Sequence, residues 1–147
     1  MHIANGTLVM AIDGAKMLLF RNDGDEKYPV LTTLAHQEIE SLSSAERGTD
    51  TPGRTFSSGS DRRSGYGETD WHQQAEDRFA AEAAARLQAV AAEEKGGIVI
   101  IAPPRLLGEL RKHYDAAVGD RLLAEIDKDL VRHVTDDIVA AIAAHSG

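Results

Sequence analysis

The sequence predicts an α/β fold in which a mixed five-stranded sheet is flanked by helices. Three observations lead there. The first third carries apolar runs separated by Asp-Gly and Asn-Asp-Gly turn signals, the pattern of an antiparallel meander. The second half alternates helix-period and strand-period segments, the pattern of strands joined by helical crossovers. Within that half, Ile98-Val99-Ile100-Ile101-Ala102 is apolar throughout, as a strand covered on both faces must be.

Each element has a local reason. Residues 7–12 and 15–20 are β-rich apolar runs on either side of Asp13-Gly14, and an Asp-Gly pair between such runs predicts a type I′ hairpin turn. A second turn cluster, Asn22-Asp23-Gly24-Asp25, leads past Pro29 into a third strand over 30–36. Asp70 with Gln73 has capping-box spacing, and Trp71, Ala75, Phe79, Ala83, Leu87 and Val90 recur every three or four residues. This predicts a long amphipathic helix from Asp70 to near Lys95, stopped by Gly96-Gly97. After the apolar strand, Pro103-Pro104 opens a second helix with the stripe Leu106, Leu107, Leu110 and Tyr114. Residues 121–127 alternate like a strand. Thr135 is placed to cap a last helix, with Asp136 and Asp137 in its first turn and Ile138 and Ile142 facing inward. Right-handed crossovers then set the last two strands parallel to the first.

One stretch fits no element. From about residue 41 to 70 the chain is mostly Ser, Gly, Thr, Asp and Arg, with only Leu42, Phe56 and Tyr66 as large apolar residues. Such a segment buries too little apolar area to offset its ordering entropy, so it reads as a long flexible loop within a single domain spanning 1–147. Loops of that length inside compact domains tend to carry function.

Composition narrows the function. The 147 residues include 24 Asp plus Glu against 16 Lys plus Arg, a net charge of −8, which excludes a general nucleic-acid coat. Zero cysteines remove thiol nucleophiles, disulfides and Cys-ligated metals. No apolar stretch is long enough for a membrane span, and the start shows no secretory signal, so a cytoplasmic protein without membrane association or cofactor is expected.

The residues also carry a resemblance. Ala102-Pro103-Pro104-Arg105-Leu106-Leu107-Gly108-Glu109-Leu110-Arg111, then Glu125-Ile126-Asp127-Lys128-Asp129-Leu130, and the hairpin from Ala11 to Phe20 resemble the bacterial host attachment protein family. That family looks like a branch of the archaeo-eukaryotic release-factor superfamily, similar to the middle domain of class I peptide-chain release factors. The resemblance implies a ribonuclease-H-like sheet of order 3-2-1-4-5. It also implies a role in attachment to host cells, exerted through contact with the ribosome, tRNA or other RNA, or with a protein partner. In release factors the connection between the third strand and the long helix carries a Gly-Gly-Gln tip. Here the corresponding residues 58–68 contain no such triplet, nor does the rest of the chain, which speaks against peptidyl-tRNA hydrolysis and for a non-catalytic domain.

Four sets of residues are candidates for chemistry. Arg54, Arg62, Arg63 and Tyr66 make the loop a basic, aromatic-containing finger suited to phosphate pairing and base stacking; the plainer reading is a surface insertion with incidental arginines. Asp13, Asp127 and Asp129, with Glu76, are carboxylates of the kind a metal-dependent hydrolase gathers at strand ends, although Asp13 is already explained by its turn. Arg105 stands at a helix N-terminus beyond a strand end, where anions bind, but two prolines remove backbone donors there. It reads better as a salt-bridge partner of Asp127 or Asp129. Of the six histidines none has His-x-x-x-His spacing, and His72 beside Trp71 reads as a first-turn surface residue. No Gly-x-Ser-x-Gly nucleophile pattern occurs.

Overall fold

A computed structural model of the chain describes residues 1–39 and 58–145, with the side chains of residues 58–72 left aside. Five strands form one sheet in the order β3-β2-β1-β4-β5: β1 (Leu8–Ile12), β2 (Lys16–Asn22), β3 (Leu31–Glu38), β4 (Ile98–Ala102) and β5 (Leu122–Asp127). β1 pairs antiparallel with β2, from Leu8 opposite Arg21 to Ile12 opposite Met17, and β2 pairs antiparallel with β3. β4 lies parallel to β1, with Val99 opposite Val9, and β5 lies parallel to β4. The mixed sheet and its 3-2-1-4-5 order are those expected.

Every residue of β1 and β4 is buried, because helices cover both faces of the centre. On one face, α1 (Ser58–Glu93), α2 (Pro104–Arg111) and α3 (Ala116–Arg121) pack Phe79, Leu87, Leu107, Leu110 and Val118 against Leu8, Met10, Met17, Leu19 and Ile100. On the other, α4 (Thr135–Ala144) packs Ile138 and Ile142 against Val9, Phe20, Val99 and Ile101. The alternation of the strand side chains divides them cleanly between these two cores.

The structure differs from the sequence expectations at several places, two of them small: β2 runs on to Asn22, and α2 ends at Arg111, so Tyr114 of the expected stripe lies beyond the helix. The β1–β2 turn is not type I′. Among the described residues only Gly6 has positive φ, at 91°, and Asp13 shapes the turn instead: its Oδ1 accepts from the backbone N–H of Ala15 at 2.8 Å and of Lys16 at 2.7 Å. An aspartate side chain that mimics a backbone acceptor removes the need for a left-handed residue. β3 runs to Glu38, two residues beyond the expected end.

The long helix starts at Ser58 rather than Asp70, so the expected loop is helical backbone over residues 58–70, and the remainder, 40–57, lies outside the described residues. The apolar repeat that locates an amphipathic helix begins only at Trp71, and a polar N-terminal extension leaves no periodic mark. A short helix, α3, intervenes before β5; Asp115 caps it by accepting from the Val118 N–H at 2.8 Å. Finally, Val134 is the N-cap of α4 and Thr135 is its first helical residue, with no side-chain cap.

The stop at Gly96-Gly97 has a steric reason. A Cβ on Gly96 would lie 2.2 Å from the Gly6 carbonyl oxygen, so only glycine lets the chain leave α1 and enter β4 this close to the turn before β1.

Candidate functional site

A cleft of about 570 Å³ opens at the C-terminal ends of β1 and β4. β1 leads outward in one direction to β2 and β3, and β4 in the other to β5, so the sheet changes direction between them. Crevices at such points are the usual binding places of open α/β sheets. The β1–β2 turn supplies Asp13, Gly14 and Ala15; α1 supplies Gln73, Glu76 and Asp77; α2 supplies Arg105, Leu106 and Glu109; Asp129 follows β5.

The lining holds five carboxylates and one guanidinium, and four of the carboxylates are engaged within the chain. Asp13 is fixed by its turn and faces Arg132, whose Nε is 3.4 Å from Asp13 Oδ2. Glu76 pairs with Arg105 at 3.1 Å. Asp77 accepts from Gln73 Nε2 at 2.9 Å. Glu109 pairs with Lys112 at 3.0 Å, and His113 Nε2 stands 3.6 Å from its other oxygen. Arg105 also donates from Nη2 to Gln73 Oε1. Its ion pair is thus with Glu76, not with Asp127 or Asp129 as expected. The reason is that α1 crosses this end of the sheet and brings Glu76 to the start of α2. Asp129 shares the cleft with Arg105, whereas Asp127, the last residue of β5, does not line it.

The three aspartates of the hydrolase reading therefore do not converge. Among the described residues no group of three or more His, Asp or Glu is disposed to hold a metal ion. A two-metal centre needs carboxylates free to converge on ions about 4 Å apart. An anion fares no better, since the cleft is negative and its arginine is neutralised by Glu76.

A second polar group lies between α2 and β5. Arg111 pairs with Glu125 at 2.6 Å, and the Tyr114 hydroxyl donates to the other oxygen of Glu125 at 3.5 Å. The hydrogen bond to Glu125 holds the Arg111 guanidinium above its ordinary pKa. Burial, reinforced by the Glu125 charge, pushes the Tyr114 phenol well above the ordinary tyrosine range.

Of the loop candidates, Arg62, Arg63 and Tyr66 lie on the backbone of α1, as does His72, and Arg54 lies outside the described residues. Sequence reasoning missed Asp77, Glu109 and Arg132 as neighbours of the cleft. Glu109 was within reach, being four residues after Arg105 and so on the same face of α2. Arg132 meets Asp13 and, at 3.7 Å, Glu38 only through the fold, and no local signal marks it.

Sheet order and crossover helices define an α/β domain with a mixed five-stranded sheet. The chain belongs to bacterial archaeo-eukaryotic release factor family 12, which it matches over residues 6–142. No curated protein matches the chain. No helix among the described residues is long and apolar enough to cross a membrane.

Proposed function

We propose that this chain is a non-catalytic release-factor-like domain that acts in the cytoplasm by contacting RNA, on the ribosome or as tRNA, through Arg54, Arg62, Arg63 and Tyr66. The observation that supports this reading most is the separation of charge. A family member with net charge −8 and an acidic cleft carries these three arginines and an aromatic residue between β3 and the sheet-packed part of α1. Arginine pairs with phosphate and tyrosine stacks on unpaired bases, which is how single-stranded RNA is held. The lack of Gly-Gly-Gln and the engagement of four of the five cleft carboxylates within the chain favour binding without hydrolysis. An effect on host-cell attachment, implied by the family resemblance, would follow indirectly from this contact.

Fluorescence anisotropy with labelled tRNA over a salt series tests the reading. Three arginine–phosphate contacts give a log–log salt slope of about −2, and Arg62→Ala/Arg63→Ala reduces its magnitude to about 0.7. A slope near zero, or one the double variant leaves unchanged, contradicts the reading. A partner captured in a salt-independent way would point to protein rather than RNA.

A further inference from the structure

Three arginines outside α1 hold that helix, and they hold it at two places. At its C-terminal end Arg121 donates to the carbonyls of Ala91 at 2.7 Å, Glu94 at 3.1 Å and Gly96 at 2.9 Å, while Arg21 pairs with Glu94 at 3.3 Å. At the other end Arg105 meets Glu76 at 3.1 Å and also Gln73. Phe79 is the first α1 residue of the core cluster among the described residues, so Arg105 grips the turn just before core contact begins. From that turn residues 58–72 run on as continuous helix.

Both halves of the grip are themselves fixed. Arg105 is the second residue of α2, directly after Pro103 and Pro104, whose rings restrict the backbone that carries it. Glu76 packs against the β1–β2 turn, where a Cβ on Gly14 would lie 3.0 Å from its carboxyl carbon. The guanidinium fork reaches two acceptors three residues apart on one helix face, a reach that a single ammonium cannot match.

We infer that Arg105 is a positioning residue: by clamping Gln73 and Glu76 it sets the direction in which residues 58–72 leave the sheet, and with it the placement of the helical stretch carrying Arg62, Arg63 and Tyr66. The inference rests on the RNA-contact reading for its functional consequence, but the clamp itself is independent of that reading.

Amide hydrogen exchange and tRNA binding, measured on Arg105→Ala and Arg105→Lys, test the inference together. In Arg105→Ala, exchange over residues 58–76 rises about two- to fivefold, as an exposed ion pair allows, while 79–93 keeps its protection. tRNA affinity falls by a similar factor although no RNA-contacting residue has changed, and Arg105→Lys recovers part of both. Unchanged exchange over 58–76 overturns the clamp. Raised exchange with undiminished tRNA affinity overturns its positioning role. If the wild-type chain binds no tRNA, the function reading fails, and the exchange measurement still decides the clamp.

Discussion

Asn22 is buried completely in the sheet, yet every polar atom of its side chain is used. Its amide donates to the carbonyls of Ile3 at 3.1 Å, Ala4 at 3.2 Å and Asp25 at 3.4 Å, and its oxygen accepts from the N–H groups of Gly24 and Val30, both at 2.9 Å. One side chain thus ties the segment before β1 to the β2–β3 turn. Asn22→Ala removes five hydrogen bonds made by a buried side chain and is expected to lower stability by about 3 kcal/mol in urea titrations; a loss under 1 kcal/mol would show that water replaces these bonds. Tyr114 makes a different prediction. Its phenol is held protonated well above the ordinary value near 10, so at alkaline pH the unfolded chain releases a proton that the folded chain keeps. Stability therefore falls as pH rises above about 10. Tyr114→Phe removes that dependence: its urea midpoint should change less between pH 9 and 11 than the wild-type midpoint does. An equal decline in both proteins contradicts the assignment.

At the scale of elements, α1 decides most. It is 36 residues long, about 54 Å at 1.5 Å per residue, and the part in the core begins only at Phe79. Its polar N-terminal part contains Gly59, Gly65 and Gly67, each costing about 1 kcal/mol of helix propensity relative to alanine. Gly65→Ala/Gly67→Ala should therefore deepen the circular-dichroism signal at 222 nm and raise protection over 58–72. No change in either measure would contradict a helix that starts at Ser58. The same helix shows what a sequence reveals. Phe79, Ala83 and Leu87 announce themselves through period and burial, and β4 through its uninterrupted apolar run, because tertiary contact is written into those side chains. Residues 58–70 have no such imprint. The turn at Asp13 was legible as a turn but not in its type, since Asp-Gly admits both a left-handed backbone and an aspartate-bonded one. In the cleft, Asp13, Glu76, Arg105 and Asp129 could be singled out from strand ends and helix starts. The Arg105–Glu76 pairing depended on where α1 crosses the sheet, which no local pattern encodes.

For the molecule as a whole, the proposed function assigns separate tasks to the acidic cleft and to the arginines between β3 and the packed part of α1. Ion pairs at the cleft join α2 to α1 through Arg105 and Glu76, and the β1–β2 turn to the segment after β5 through Asp13 and Arg132, and so serve the architecture. On the proposed reading, the arginines between β3 and the packed part of α1 meet an anionic partner against an overall charge of −8. That global charge repels RNA except where the arginines approach it, which favours a small, salt-sensitive contact over a broad one. The most direct measurement is co-sedimentation of the chain with ribosomes at about 50 and 200 mM salt, for wild type and Arg62→Ala/Arg63→Ala. The account predicts that wild type pellets at low salt, loses about sixteenfold in affinity at high salt, and depends on both arginines. Absence of the wild-type chain from the ribosomal pellet at low salt, or equal pelleting of the double variant, would contradict it.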